Sequence, residues 1–298
     1  MDKLEVEGLE LNLEGNIVRD DWMDSGFAED FNRVTEDMDV TAELVHNLIH
    51  IGTASTLQNK YEELEEESEI NVETFNVIGI GVFAHLLDEV GDEAFDAWTE
   101  NAGYDRNYMF GDVDMYFPAG RPIKDYSRPS IDTFYEQEIG SDIEEPLNGD
   151  HLGEKYTANL DFSENMEVEI DLIRPEVNSD SDYPMAQDDP VRVETEGGAE
   201  LATPPLEECI YHKGTLEKDN GNGHDTMRDK DYRELATLLH IAEERDISPE
   251  YFEDNFDQEA LKMIGTRADG IADVADEWDY QPSDEYVSRI DQWQHMYS

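Results

Sequence analysis

The chain has 298 residues, of which 76 are Asp or Glu and 20 are Lys or Arg, giving a formal net charge of −56. That length allows one large domain or an ordinary domain with a smaller companion, and 10 % aromatic residues exclude a simple disordered acidic chain. A single cysteine, Cys209, excludes an internal disulfide and a cysteine-based zinc cluster within one chain, which fits a reducing interior.

From the N-terminus, Leu4, Val6, Leu9, Leu11, Leu13 and Ile17 alternate loosely, which predicts a short hairpin turned at Glu14-Gly15-Asn16. Apolar residues from Phe27 through Leu44, Leu48 and Ile51 toward Tyr61 recur at helical spacing and predict one or two helices; Glu62 to Glu69 reads as the solvated end of the last. Thr74 to Ile78 is an apolar run halted by Gly79-Ile80-Gly81. Phe83, Leu86, Leu87, Val90, Phe95 and Trp98 then mark an amphipathic helix. The glycines predict a turn between strand and helix. Such a turn can offer backbone N–H groups to a phosphate, or it can serve only close strand-to-helix packing.

Met109 to Phe117 alternates apolar and acidic residues at a period of two, which predicts a half-buried strand with Asp112 and Asp114 on one face and Val113 and Met115 in the core. Two carboxylates on one strand edge can ligate a metal, although an Asp-x-Asp pair also arises by chance in so acidic a chain. Pro118 to Gly153 mixes Pro, Gly and Asp, with a short helix around Ile131, Phe134 and Tyr135. Tyr156 to Phe162 and Met166 to Ile173 read as strands joined at Ser163-Glu164-Asn165, the second carrying Asp171. Asn178 to Asp189 is a polar loop, Pro190 to Thr195 a further strand, and Gly197-Gly198 a turn. Beyond Pro204-Pro205 the pattern is helical: Leu206 to Leu216, Tyr232 to Ala242, Pro249 to Met263, Ala268 to Trp278 and Asp284 to Trp293, with a loop at 218–224. The division expected is 1–73, an N-terminal hairpin and helical segment; 74–203, an α/β core; and 204–298, a helical region.

Lysine is scarce, yet Lys213, Lys218 and Lys230 fall with Arg228 and Arg233 in one short segment. Ion pairing with Glu207, Glu208 and Glu234 accounts for this clustering, as does a phosphate facing Lys213. No basic segment followed by an apolar core opens the sequence, and no run of some 18 apolar residues occurs, so a soluble cytoplasmic protein is expected. Acids are spread through the whole chain rather than gathered in blocks. That spread favours a folded protein working in concentrated salt over an acidic mimic of nucleic acid. The composition resembles that of proteins from extremely halophilic archaea or their viruses.

The order Gly79-Ile80-Gly81, helix, Asp112-Val113-Asp114, Asp171 on a later strand, Lys213 on a helix, then Arg228-Asp229-Lys230-Asp231-Tyr232-Arg233-Glu234-Leu235 resembles the nucleotidyltransferase superfamily with the DNA-polymerase-beta-type catalytic fold. Within it the chain resembles the AbiEii-type branch, which includes toxins of toxin–antitoxin pairs. The resemblance runs from about Phe75 to about Leu239, and residues 228–235 match best. It implies an α/β (α+β) fold with a mixed β-sheet flanked by helices and a C-terminal helical region.

The activity implied is transfer of a nucleotide from an NTP to an acceptor hydroxyl on RNA, protein or a small molecule, with Mg²⁺ or Mn²⁺ as cofactor. Asp112, Asp114 and Asp171 would be metal ligands, Asp171 also helping to activate the acceptor. Gly79, Gly81 and Lys213 would bind the nucleotide phosphates, and Asp231 would orient Lys213 or contact the nucleotide. The resemblance further implies that the three acids converge and that Lys213 and Asp231 share their cleft, with any RNA contact centred on 213–233. Taken alone, Asp231 is also a good residue for the first turn of a helix.

Departures from the family pattern bear on triphosphate handling. The glycine pair lacks the hydroxyl residue that many relatives carry, Phe110 stands where Thr is frequent, and Arg106 lies two residues early, with Tyr108 in its place. They admit an inactive relative, an antitoxin-like or viral partner protein on the same fold. A plain acidic protein with a chance Asp-x-Asp is the third reading.

Overall fold

The structure, a computed structural model, describes residues 4–6, 9–11, 42–68, 78–100, 110, 113–116, 147–150, 153–163, 166–174, 190–215, 227–275 and 278–296. By its contacts the chain divides into two compact units. The first takes in Met1–Ala84, Met109–Asp180 and Pro184–Pro204, and the second His85–Tyr108, Ser181–Tyr183 and Pro205–Ser298. The expected N-terminal part and most of the expected core therefore fall in one unit, while His85–Tyr108 goes with the C-terminal helices.

In the first unit, β1 (Leu4–Val6) and β2 (Leu9–Leu11) pair antiparallel within the stretch expected to form a hairpin, while the turn expected at Glu14-Gly15-Asn16 lies outside the described residues. The register sets Leu4 opposite Leu11 and Val6 opposite Leu9, so both apolar pairs match. Helix α1 (Ala42–Ser68) is enclosed on all sides from Asn47 to Gln58, where every residue is buried. Two of its polar side chains show how such groups are met, one locally and one by neighbouring backbone. Thr53 Oγ1 donates to the Ile49 carbonyl at 2.7 Å, and Gln58 Oε1 accepts the Ala202 N–H at 2.7 Å. Residues 27–41, read as the start of this helical stretch, and the Thr74–Val77 part of the expected strand lie outside the described residues.

Helix α2 (Ile78–Val90) begins at Ile78, so Gly79 and Gly81 belong to its first turn and not to a turn ahead of it. The reason is burial. Ile80, Val82 and Phe83 are sealed from solvent, and at about 1.5–3 kcal/mol for each large apolar side chain this outweighs roughly 1 kcal/mol per helical glycine. The helix stops at Gly91, whose φ of 64° and N–H bond to the Leu87 carbonyl, at 2.8 Å, make a left-handed cap. Helix α3 (Glu93–Glu100) follows.

The sheet consists of β3 (Val113–Tyr116), β4 (Leu147–Asp150), β5 (Gly153–Ser163) and β6 (Met166–Arg174) in the order β3-β6-β5-β4. β3 runs parallel to β6, and the other pairs are antiparallel. β5 and β6 form the expected hairpin, with Ser163 opposite Met166. β4 falls in a stretch whose polar Asn148-Gly149-Asp150 gives no alternation to read, as suits an edge strand. The short helix expected around Phe134 and the loop at 178–189 lie outside the described residues. A second hairpin, β7 (Val191–Glu194) with β8 (Glu200–Thr203), turns through Gly198 at a φ of 92°, and α1 packs against β8 and β3. The fold is thus mixed α/β, with a mixed sheet, flanking helices and a C-terminal helical region.

The second unit adds α4 (Leu206–Thr215), α5 (Asp229–Glu244), α6 (Pro249–Asn255), α7 (Gln258–Thr266), α8 (Ala268–Ala275), α9 (Asp284–Asp291) and α10 (Trp293–Met296). The stretch expected as one helix over Pro249–Met263 is two. Asp257 breaks it by accepting the Ala260 N–H at 2.8 Å as the N-cap of α7. A Cβ at Gly265 would lie 2.6 Å from the backbone nitrogen of Gln294 and 3.1 Å from the Ile290 carbonyl oxygen. Backbone cannot swing aside as a side chain can. Gly265→Ala is therefore expected to lower stability by about 1–3 kcal/mol, read as a reduced midpoint in chemical denaturation.

Candidate active site

Strand β6 lies between β3 and β5, and its alternation sets the site. Val168 and Ile170 are buried, Glu169 between them is exposed, and Val113 of β3, the register partner of Ile170, is buried as well. With a period of two, the next position along falls on the other face of the sheet. That position is occupied by Asp114 on β3 and Asp171 on β6, which are direct register partners. Thr157 of β5 is the partner of Asp171 on its other side. Neighbouring strands lie about 4.8 Å apart, and like charges directly opposite destabilise a sheet. Asp112 lies outside the described residues.

Just upstream, Phe110 is held by its backbone. Its N–H donates to Asn47 Oδ1 at 3.1 Å, and its carbonyl lies 2.7 Å from His46 Nε2. A carbonyl can only accept, so His46 carries its proton on Nε2. The Phe110 ring stands edge-on to Phe83, with centroids 6.2 Å apart, and a Cβ at Gly79 would meet its Cδ1 at 3.8 Å, an ordinary contact. The first turn of α2 is thus packed beside the residue that leads into the Asp-x-Asp strand. The N–H groups of that turn have no acceptor inside their own helix. His46 and Asn47 escape a search for apolar spacing. A different signal marks them: residues 44–59 contain no Asp, Glu, Lys or Arg in a chain that is 32 % charged.

In the second unit the structure brings Lys213 and Asp231 together. Asp231, fully buried on the first turn of α5, accepts the Arg228 backbone N–H at 3.1 Å, Nε–H at 2.9 Å and Nη2–H at 3.1 Å. Lys213 Nζ stands 3.8 Å from Asp231 Oδ1 and forms an ion pair with Glu234. The Lys213 carbonyl accepts a bond from Arg267 Nη1 at 2.9 Å. Beside it, His212, whose Nε2 is sealed from solvent, has its pKa lowered to about 4 by burial. It is neutral at neutral pH.

Ion pairing with Glu234 does account for part of the basic cluster, but inside the protein rather than on a helix surface. Lys213 is 5 % exposed and Arg233 is 3 % exposed. The guanidinium carbon of Arg233 lies 5.0 Å from the ring centroid of Trp98 and 4.4 Å from that of Trp278. Lys213 and Arg233 are therefore drawn inward by the apolar and acidic groups around them, whereas the Arg228 side chain is half exposed and Lys218 lies outside the described residues. Breaking a buried ion pair from one side leaves the other charge stranded. Lys213→Ala is expected to cost about 3–5 kcal/mol in denaturant unfolding, whether or not the protein has activity.

Among the described residues, no group of three or more His, Cys, Asp or Glu is arranged to hold a metal ion, and no helix is long and apolar enough to cross a membrane. No family model matches the chain, and no curated protein matches it. The solved structure of an antigenic nucleotidyltransferase-like protein from Paracoccidioides brasiliensis is similar over 80 % of this chain and 96 % of its own, at 13 % identity and a TM-score of 0.41.

Proposed function

We propose that the chain is a metal-dependent nucleotidyltransferase, of the AbiEii-type branch that residues 228–235 resemble, moving a nucleotide from an NTP to an acceptor hydroxyl on RNA or protein. The observation that carries the reading is the register pairing of Asp114 with Asp171 on adjacent parallel strands. Paired carboxylates suit a hard cation, so Asp114 and Asp171, with Asp112, would hold Mg²⁺ or Mn²⁺, which supplies neutralising charge at the triphosphate. Asp171 would orient the acceptor hydroxyl. The acceptor oxygen would give up its proton to the Asp171 carboxylate and bond to the α-phosphorus as the bond from that phosphorus to the oxygen bridging to the β-phosphate breaks, and pyrophosphate leaves. Gly79 and Gly81 would present backbone N–H groups to the phosphates, Lys213 would balance phosphate charge, and Asp231 would orient Lys213. A salt-rich cytoplasm is the setting that the charge of −56 fits, with a cognate antitoxin-like protein as a candidate partner.

The test is incubation with each labelled NTP and Mg²⁺ or Mn²⁺ at high KCl, with total RNA or the protein itself as acceptor. Label should reach an acceptor with at least one NTP. No transfer under any combination overturns the reading. Gly79→Ala sharpens the test, because its Cβ meets only an ordinary contact and alanine is the better helix former by up to about 1 kcal/mol. The variant is expected to unfold at a higher denaturant concentration yet to show a raised KM for the NTP. An unchanged KM would remove Gly79 from phosphate binding.

One observation favours a second reading. Lys213, buried and paired with Glu234 and near Asp231, has its charge already balanced within the protein. A catalytically inactive interaction protein on the same fold needs no cation free for phosphate. Binding of a cognate toxin or viral partner, with no label transferred, is the result that reading expects.

A further inference from the structure

We propose that His46 and Asn47 of α1 are positioning residues that fix where the Asp-x-Asp strand begins, an inference that rests on the reading of Asp114 and Asp171 as metal ligands. Phe110 precedes Asp112 by two residues and Val113, the first residue of β3, by three. Both of its backbone hydrogen-bonding groups are taken by adjacent side chains of one helix: the N–H by Asn47 Oδ1 at 3.1 Å and the carbonyl by His46 Nε2 at 2.7 Å. A peptide gripped by donor and acceptor together cannot slide along the helix by one residue without losing both bonds. In a sheet, such a slip would carry every side chain of β3 to the opposite face.

The grip is itself anchored. The His46 carbonyl accepts a bond from His50 Nδ1 at 2.8 Å, and the two rings lie against each other at a tilt of 35°, with centroids 4.1 Å apart. The His50 ring in turn lies 6.3 Å from that of Phe110. Asn47 is 3 % exposed, and its Nδ2 has no hydrogen-bond partner among the described residues. An unmet buried donor costs about 1–3 kcal/mol, so an apolar residue would serve packing better at this position. What an apolar residue cannot do is accept the Phe110 N–H. The geometry therefore gives Asn47 a role through its oxygen, and that role is the start of β3.

The experiment pairs hydrogen–deuterium exchange over Val113–Tyr116 with titration of Mn²⁺ alone, at high KCl, on the wild-type chain and on His46→Ala, His46→Gln and Asn47→Leu. His46→Ala and Asn47→Leu are expected to speed exchange in β3 and to weaken Mn²⁺ binding about tenfold. His46→Gln, which keeps a side-chain N–H donor, should restore most of both. If His46→Ala does not fold, His46→Gln against Asn47→Leu carries the comparison. Unchanged exchange in β3 overturns the proposal outright. Faster exchange with unaltered Mn²⁺ affinity also overturns it, since the pair would then brace the strand without placing its acids. A wild-type chain that binds no Mn²⁺ sensitive to Asp114→Asn and Asp171→Asn sinks the metal reading instead. Exchange then decides alone whether the two residues set the strand.

Discussion

Asp114→Asn and Asp171→Asn should each cut metal-dependent label transfer about a thousandfold, the rate equivalent of roughly 4 kcal/mol of lost charge stabilisation. The same substitutions should raise stability in metal-free buffer. Asp114 and Asp171 share one register position on parallel strands, and like charges at directly opposite positions destabilise a sheet. Neutralising either should recover about 0.2–1 kcal/mol, the scale of a cross-strand pair. Activity and stability then move in opposite directions. Denaturant unfolding with EDTA and with Mn²⁺ measures the second effect. A metal-free variant less stable than wild type would mean that the two acids do not confront each other across the strands.

Removal of salt should unfold the chain or expand it. The Debye length grows from about 3 Å at 1 M to about 30 Å at 0.01 M, so repulsion among like charges reaches across a whole domain in dilute buffer. The structure makes the case stronger than the composition alone does. Of the 20 basic residues, Lys213, Arg233 and Arg267 are buried and lend nothing to the surface. Arg245 is already engaged with Asp88 at 2.8 Å and Glu89 at 3.0 Å. Circular dichroism and small-angle scattering across a KCl series check the prediction. Equal stability and radius at about 0.01 M and about 2 M KCl would count against a salt-rich setting and bring back the acidic mimic of nucleic acid.

What could be read in advance was periodicity. Val113 between two acids, and Val168 and Ile170 around Glu169, place β3 and β6 and their faces, because a strand's period of two is local. The partnership of Asp114 with Asp171 is not local. It depends on β3 joining β6 across residues 117–165, and no spacing in that stretch sets the register. Gly79 and Gly81 misled for a related reason. Glycine punctuates a chain only when burial does not overrule it, and Ile80, Val82 and Phe83 do overrule it here. Burial of Lys213 was hidden because its ion-pair partner, Glu234, sits on another helix. His46 and Asn47 are missed because the spacing of Leu44, Leu48 and Ile51 reports only the apolar positions of the helix, whereas from Asn47 to Gln58 its polar residues are buried too.

The division into units bears on how the chain is made. The second unit needs His85–Tyr108 from the middle of the sequence together with Pro205–Ser298. Trp98 meets Trp278 edge-on, with centroids 6.0 Å apart, and Asp88 and Glu89 wait for Arg245. On the ribosome, Leu86, Leu87, Phe95 and Trp98 emerge long before the C-terminal helices of their unit. At roughly 5–20 residues per second they stay uncovered for roughly ten to forty seconds. A chain released after Pro204 never covers them and should self-associate, however well its sheet has formed. Completion of the C-terminal helices is therefore a condition for keeping the nascent protein apart from its neighbours, and a chaperone that shields α2 and α3 during that interval would raise the yield of native chain.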